Sequence, residues 1–153
     1  MESSELNQIK EMMGDRPHRE ALDTLLEQLM ETFFAERGCL WVEEWQDYLY
    51  QGDEELRDEF PFSTQVVESA IQTGRGFVSF DSKLDDRIAP TGSIAVHKVR
   101  SCLCAAAKNP AGETLAVAYF DNKTSAGNFT EEDLETLQKI MALFPGAATP
   151  VVL

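Results

Sequence analysis

"RSCLCAAAKNPAGETLAVAYFDN", residues 100–122, sets two cysteines one residue apart ahead of a run of alanines and a turn signal. Asn109, Pro110 and Gly112 suit a tight turn, and the residues on either side alternate with period two. The stretch therefore predicts a hairpin of strands over 101–108 and 114–121. Alternation puts Cys102, Cys104 and Ala106 on one face of the first strand, and Ala116 and Ala118 on one face of the second. Sequence leaves the register between them open. If the two small-residue faces coincide, the sheet carries a shallow patch that admits either a closely packed helix or a small molecule. A zinc site at the cysteine pair needs further ligands, and His18, His97 and Cys39 stand at no recognisable spacing, so no metal is expected.

Upstream of the hairpin, Leu6, Ile9 and Met13 predict a short helix over 3–13 that Gly14 stops. A second helix follows, with Asp15 as cap, Pro17 in its first turn and apolar residues from Leu22 to Phe34. That stripe spans about half the circumference at 100° per residue, wider than one contact needs. Two contacts are expected, the chain's own sheet and a partner reached through Leu25 and Leu29. The period then changes to two, and CLWVEEW and YLY read as strands around a polar bend. Carboxylates crowd residues 43–59 without the alternating ligands of a calcium loop, which makes them a solvated acidic edge.

Ser63 caps an expected helix through Val66, Val67, Ala70 and Ile71, ended by Gly74, and FVSF at 77–80 is a short strand. Residues 81–99 form a long irregular stretch of the kind that often carries binding function. The last helix has a full start signal: Thr130 as cap, Asp133 at the reciprocal position, and Phe129 set to pack on Leu134. Its apolar face runs to Phe144, where Pro145 and Gly146 break it.

The chain of 153 residues is 43% hydrophobic, which suits one domain with a sizeable core. A short extension or helix over 1–14, a domain over 15–144 and a linker or chain end over 145–153 are expected. The formal charge of -14 opposes direct contact with nucleic acid or anionic lipid. No apolar run reaches the roughly 18 residues of a membrane span, and the acidic N-terminus is unlike a signal peptide, so the expected place is the cytoplasm. Three cysteines without a secretion signal are expected as reduced thiols.

Several positions together resemble a known family. Ser93-Ile94, Arg100-Ser101, Leu103-Cys104, Tyr119-Phe120-Asp121-Asn122, Phe129-Thr130 and Asp133-Leu134 are similar to GAF domains, in particular those of bacterial signalling enzymes and those preceding transcription activators that work with the alternative sigma factor. The resemblance spans about residues 20–144. It implies an α+β, PAS-related fold, with a central antiparallel sheet of about six strands, N- and C-terminal helices on one face and a loop-covered cavity on the other. The chain departs from many relatives at Ala106-Ala107 and at Ala116, where they carry proline and leucine, and glycine. Asn122, Lys123, Phe129 and Asp133 echo the family's NKFDE motif, with Leu134 in place of its glutamate. That motif is largely structural, and no cyclic nucleotide is inferred from it.

The resemblance implies a non-catalytic sensory domain that binds a small molecule between the sheet and the 81–100 loop and signals through helices, as a homodimer, to a partner or attached output domain. Expected ligand contacts are Phe80, Asp81, Arg87, Ser93, His97 and Arg100 in the loop, with Cys102 and Tyr119 on the sheet. The ligand and any cofactor stay unassigned. A haem, bilin or iron site has no cysteine beside His97 and no second histidine at a suitable spacing. Two alternatives stand beside it. One GAF branch reduces free methionine sulfoxide with cysteines in and around the same loop; here the loop itself has no cysteine, and Cys102 and Cys104 lie on the strand that follows it. The other is a domain kept for dimerisation alone.

Overall fold

The computed structural model describes residues 1–52, 64–74, 76–85, 87, 99–124 and 129–148. Its elements in chain order are α1 (Ser3–Met13), α2 (Arg19–Phe33), β1 (Arg37–Val42), β2 (Asp47–Gln51), α3 (Thr64–Thr73), β3 (Phe77–Ser79), β4 (Ser101–Lys108), β5 (Thr114–Asn122) and α4 (Glu131–Met141). The strands form one antiparallel sheet in the order β2-β1-β5-β4-β3, so the expected hairpin lies at its centre and β3 at one edge. The family resemblance implies about six strands; the described residues give five, the five that period-two patterning locates.

Register decides what the small residues are for. Cys104 stands opposite Tyr119 and Cys102 opposite Asp121, while Ala105 faces Ala118 and Ala107 faces Ala116. The cysteines and the β5 alanines therefore lie on opposite faces, and the shared shallow patch does not form. Ala105, Ala107, Ala116 and Ala118 belong to the core that α1, α2 and α4 cover, with Leu103, Phe120 and the buried stripes of the helices. Small side chains there let helices approach the sheet closely. Gly38 shows how closely, since a Cβ on it would come within 2.5 Å of the Met30 sulfur and 2.9 Å of the Phe120 ring. The other face carries Cys39, Phe77, Cys102, Cys104, Val117 and Tyr119 against Ala70 of α3 and Val99. The N- and C-terminal helices thus share one face, as expected.

The first helix forms over the predicted span and buries Ile9 and Met13 in the same core as α2 and α4. Residues 1–14 are thereby built into the domain. Gly14, at φ 62°, closes α1 by giving its N–H to the Lys10 carbonyl. The second helix starts later than predicted. Its cap is His18, whose Nδ1 accepts the Ala21 N–H at 3.4 Å, and Pro17 lies before the helix. Asp15 is therefore not the cap. The polar bend after β1 is a 3-10 turn, Glu43–Trp45.

At α4 the capping box is complete: the Thr130 hydroxyl oxygen accepts the Asp133 N–H, and the Asp133 carboxylate accepts the Thr130 N–H, both at 3.1 Å. Phe129 is fully buried beside Leu134. Ser63, the expected cap of α3, lies outside the described residues. No helix among the described residues is long and apolar enough to cross a membrane.

Candidate functional site

Beyond the β3 edge the chain folds back on the start of β4. The Leu84 N–H bonds the Asp81 carbonyl at 3.1 Å, and the Ser82 N–H bonds the Arg100 carbonyl at 2.7 Å. The Asp81 carboxylate accepts from Arg100 Nη2 at 3.1 Å and from the Lys83 N–H at 3.1 Å. Arg87 is held by a fork: its Nε donates to Asp85 Oδ1 at 2.9 Å, and its Nη2 to Asp85 Oδ2 and to the Val78 carbonyl, both at 2.6 Å. The same guanidinium lies over the Phe77 ring, 4.2 Å from its centroid. The Arg87 bonds hold the Asp85 carboxyl down at a pKa of about 2, and the Arg100 bond lowers Asp81. Arg87 in turn is raised by Asp85.

This turn and the start of α4 flank an open cleft of about 640 Å³, lined by Val78, Phe80, Asp81, Leu84, Asp85 and Arg87 on one side and by Phe129, Thr130 and Glu131 on the other. Phe80 and Leu84 are 62% and 81% exposed at its mouth.

A different polar centre lies on the α3 face of the sheet. Arg37 and Asp121 form a buried ion pair there, and the Tyr119 hydroxyl donates to the same carboxylate at 2.9 Å. Burial pushes the Asp121 carboxyl up against the pull of Arg37, and raises the Tyr119 phenol. Cys39, Cys102 and Cys104 are reduced and buried on this face. Burial also raises the Cys102 and Cys104 thiols, which keeps them protonated near neutrality. A second, smaller hollow of about 310 Å³ lies between α3 and the sheet, lined by Trp41, Glu43, Val67, Ile71, Thr114 and Val117. No cluster of metal-ligating side chains occurs among the described residues.

Of the expected ligand contacts, Phe80, Asp81 and Arg87 meet in the cleft, and Arg100 holds Asp81 in place. Arg87 serves as wall, since Asp85 and Val78 engage its donors. Cys102 and Tyr119 do not join them, being buried on the α3 face. Ser93 and His97 lie outside the described residues. Asn122 and Lys123 act structurally: the Asn122 side chain accepts the Glu36 N–H at 2.6 Å and donates to the Phe34 carbonyl at 3.2 Å, and the Lys123 N–H bonds the Glu36 carboxylate at 2.6 Å. Phe129 both anchors α4 in the core and reaches the cleft wall. Leu84, Asp85, Thr130 and Glu131 were not among the expected contacts; the capping signal places the last two at a helix start, but nothing local joins that start to residues 78–87.

Leu25 and Leu29 are each 3% exposed and pack in the chain's own core with Met13, Leu40, Met141 and Phe144. The second neighbour of the wide α2 stripe is therefore α1. Leu25 and Leu29 thus meet neighbours within the chain, while Phe34 at the end of the stripe is exposed.

A family model described as GAF domain matches residues 17–144. No curated protein matches the chain. Among solved structures, the chain is similar to the free methionine-R-sulfoxide reductase from Neisseria meningitidis in complex with its substrate, at 19% identity over 92% of this chain and 83% of that one, with a TM-score of 0.64. It is similar to the GAF domain of an Acinetobacter phosphoenolpyruvate-protein phosphotransferase at 17% identity, covering 95% of this chain and 93% of that one, with a TM-score of 0.65. The A. aeolicus nlh2 GAF domain in an inactive state shares 19% identity over 89% and 85% of the two chains, with a TM-score of 0.54. At such identities the likeness is one of fold.

Proposed function

The chain belongs to the GAF domain family, and on that premise we propose that it is a non-catalytic regulatory domain that binds a small molecule and reports occupancy to a partner or attached output domain. The observation that carries this reading is the cleft beside β3. It brings Phe80, Asp81 and Arg87 against the first turn of α4, so that one ligand touches both the post-β3 turn and a helix. α4 packs along β4 and touches α1. A ligand that favours one position of α4 tenfold biases the equilibrium by about 1.4 kcal/mol, enough to shift a switch. The series of family-like residues from Arg100 to Leu134 supports a bacterial signalling setting, with control of a transcription activator as one such output. A homodimer belongs to this reading too, formed through a surface other than Leu25 and Leu29.

The test begins with protein purified without denaturant, whose released small molecules are identified by mass spectrometry and added back in a thermal-shift assay. Stabilisation by several degrees that Phe80→Ala abolishes is the expected result. No released molecule, together with no shift across a metabolite library, overturns the reading.

A second reading has its own observation. The Neisseria protein is a free methionine-R-sulfoxide reductase, and Cys39, Cys102 and Cys104 share one sheet face here. Reductase chemistry needs an accessible thiolate near the substrate sulfur and a resolving thiol beside it. The three thiols are buried, and Cys102 and Cys104 stand two residues apart on one strand, about 6.6 Å between α-carbons, which suits a direct disulfide poorly. Thioredoxin-coupled turnover of methionine sulfoxide that is lost in Cys104→Ser would establish the enzyme instead.

A further inference from the structure

We draw no further inference here: the strongest candidate, the hollow of about 310 Å³ between α3 and the sheet, has an apolar lining of Trp41, Val67, Ile71 and Val117, but nothing in the structure shows what covers it.

Discussion

Arg37 and Asp121 pair across the β1–β5 ladder with both bonds at 2.7 Å, Nε to Oδ1 and Nη2 to Oδ2, at 3% and 1% side-chain exposure. Two charges removed from water hold each other, and the Tyr119 hydroxyl donates to the same carboxylate. Breaking such a pair from one side strands the other charge in the interior. Arg37→Leu is therefore expected to cost about 3–5 kcal/mol in urea unfolding. Adding Asp121→Leu should recover much of that, because no uncompensated charge then remains. A single variant that loses less than about 1 kcal/mol would show that solvent reaches the pair.

The alanine face tests the packing account. Ala118 is 1% exposed beneath the helices, and Ala106, on the other face, is half-buried. Ala118→Leu should destabilise by at least about 1–3 kcal/mol through overpacking, and Ala106→Val by less than about 0.5 kcal/mol. Thermal midpoints of the two variants decide it. Equal losses would mean that both faces are equally tight.

Acid stability should carry the mark of Asp85. Its folded pKa, about 2, lies below the ordinary value of 3.8, so its stabilisation is present above pH 4 and is lost as pH falls through 2. That shift corresponds to about 2.5 kcal/mol, which solvent around the exposed Arg87 reduces to about 1 kcal/mol. Urea midpoints measured from pH 5 to pH 2 should fall less steeply in Asp85→Asn than in the unmodified chain. Identical slopes would place the Asp85–Arg87 fork outside the folding equilibrium.

Thiol chemistry should report burial. Cys39, Cys102 and Cys104 are enclosed, and burial raises the Cys102 and Cys104 thiols. A colorimetric thiol reagent at pH 8 should label the native chain many times more slowly than the chain in denaturant, where all three thiols react. Rapid labelling of one cysteine in the native chain would reopen the reductase reading.

What could be read from the sequence was what is local. The hairpin, the α1 span with Gly14 and the Thr130–Asp133 box each rest on residues a few positions apart, where periodicity and capping act directly. The β4–β5 register needed more than alternation, because period two gives two faces without saying which face of one strand meets which of the next. The breadth of the α2 stripe told how many neighbours Leu25 and Leu29 have, and could not tell whose they are. Phe80, Asp81 and Arg87 were legible as loop residues beside a strand end. Their meeting with Thr130 and Glu131 was not, since it follows from the packing of α4 beside the sheet edge and from no local signal.

The central place of β5 has a consequence for how this chain tolerates change in length. Each neighbour along β5 belongs to a different half of the protein: Ala118 to the side with three helices, Tyr119 to the side with the ion pair. One residue added within Thr114–Asn122 would carry the tyrosine and aspartate under the helices and the alanines towards α3, dismantling both halves at once. The turn at 109–113, exposed or half-buried at each position, carries no such alternation. Insertions are expected to survive there, which makes it the place to graft a tag or a reporter.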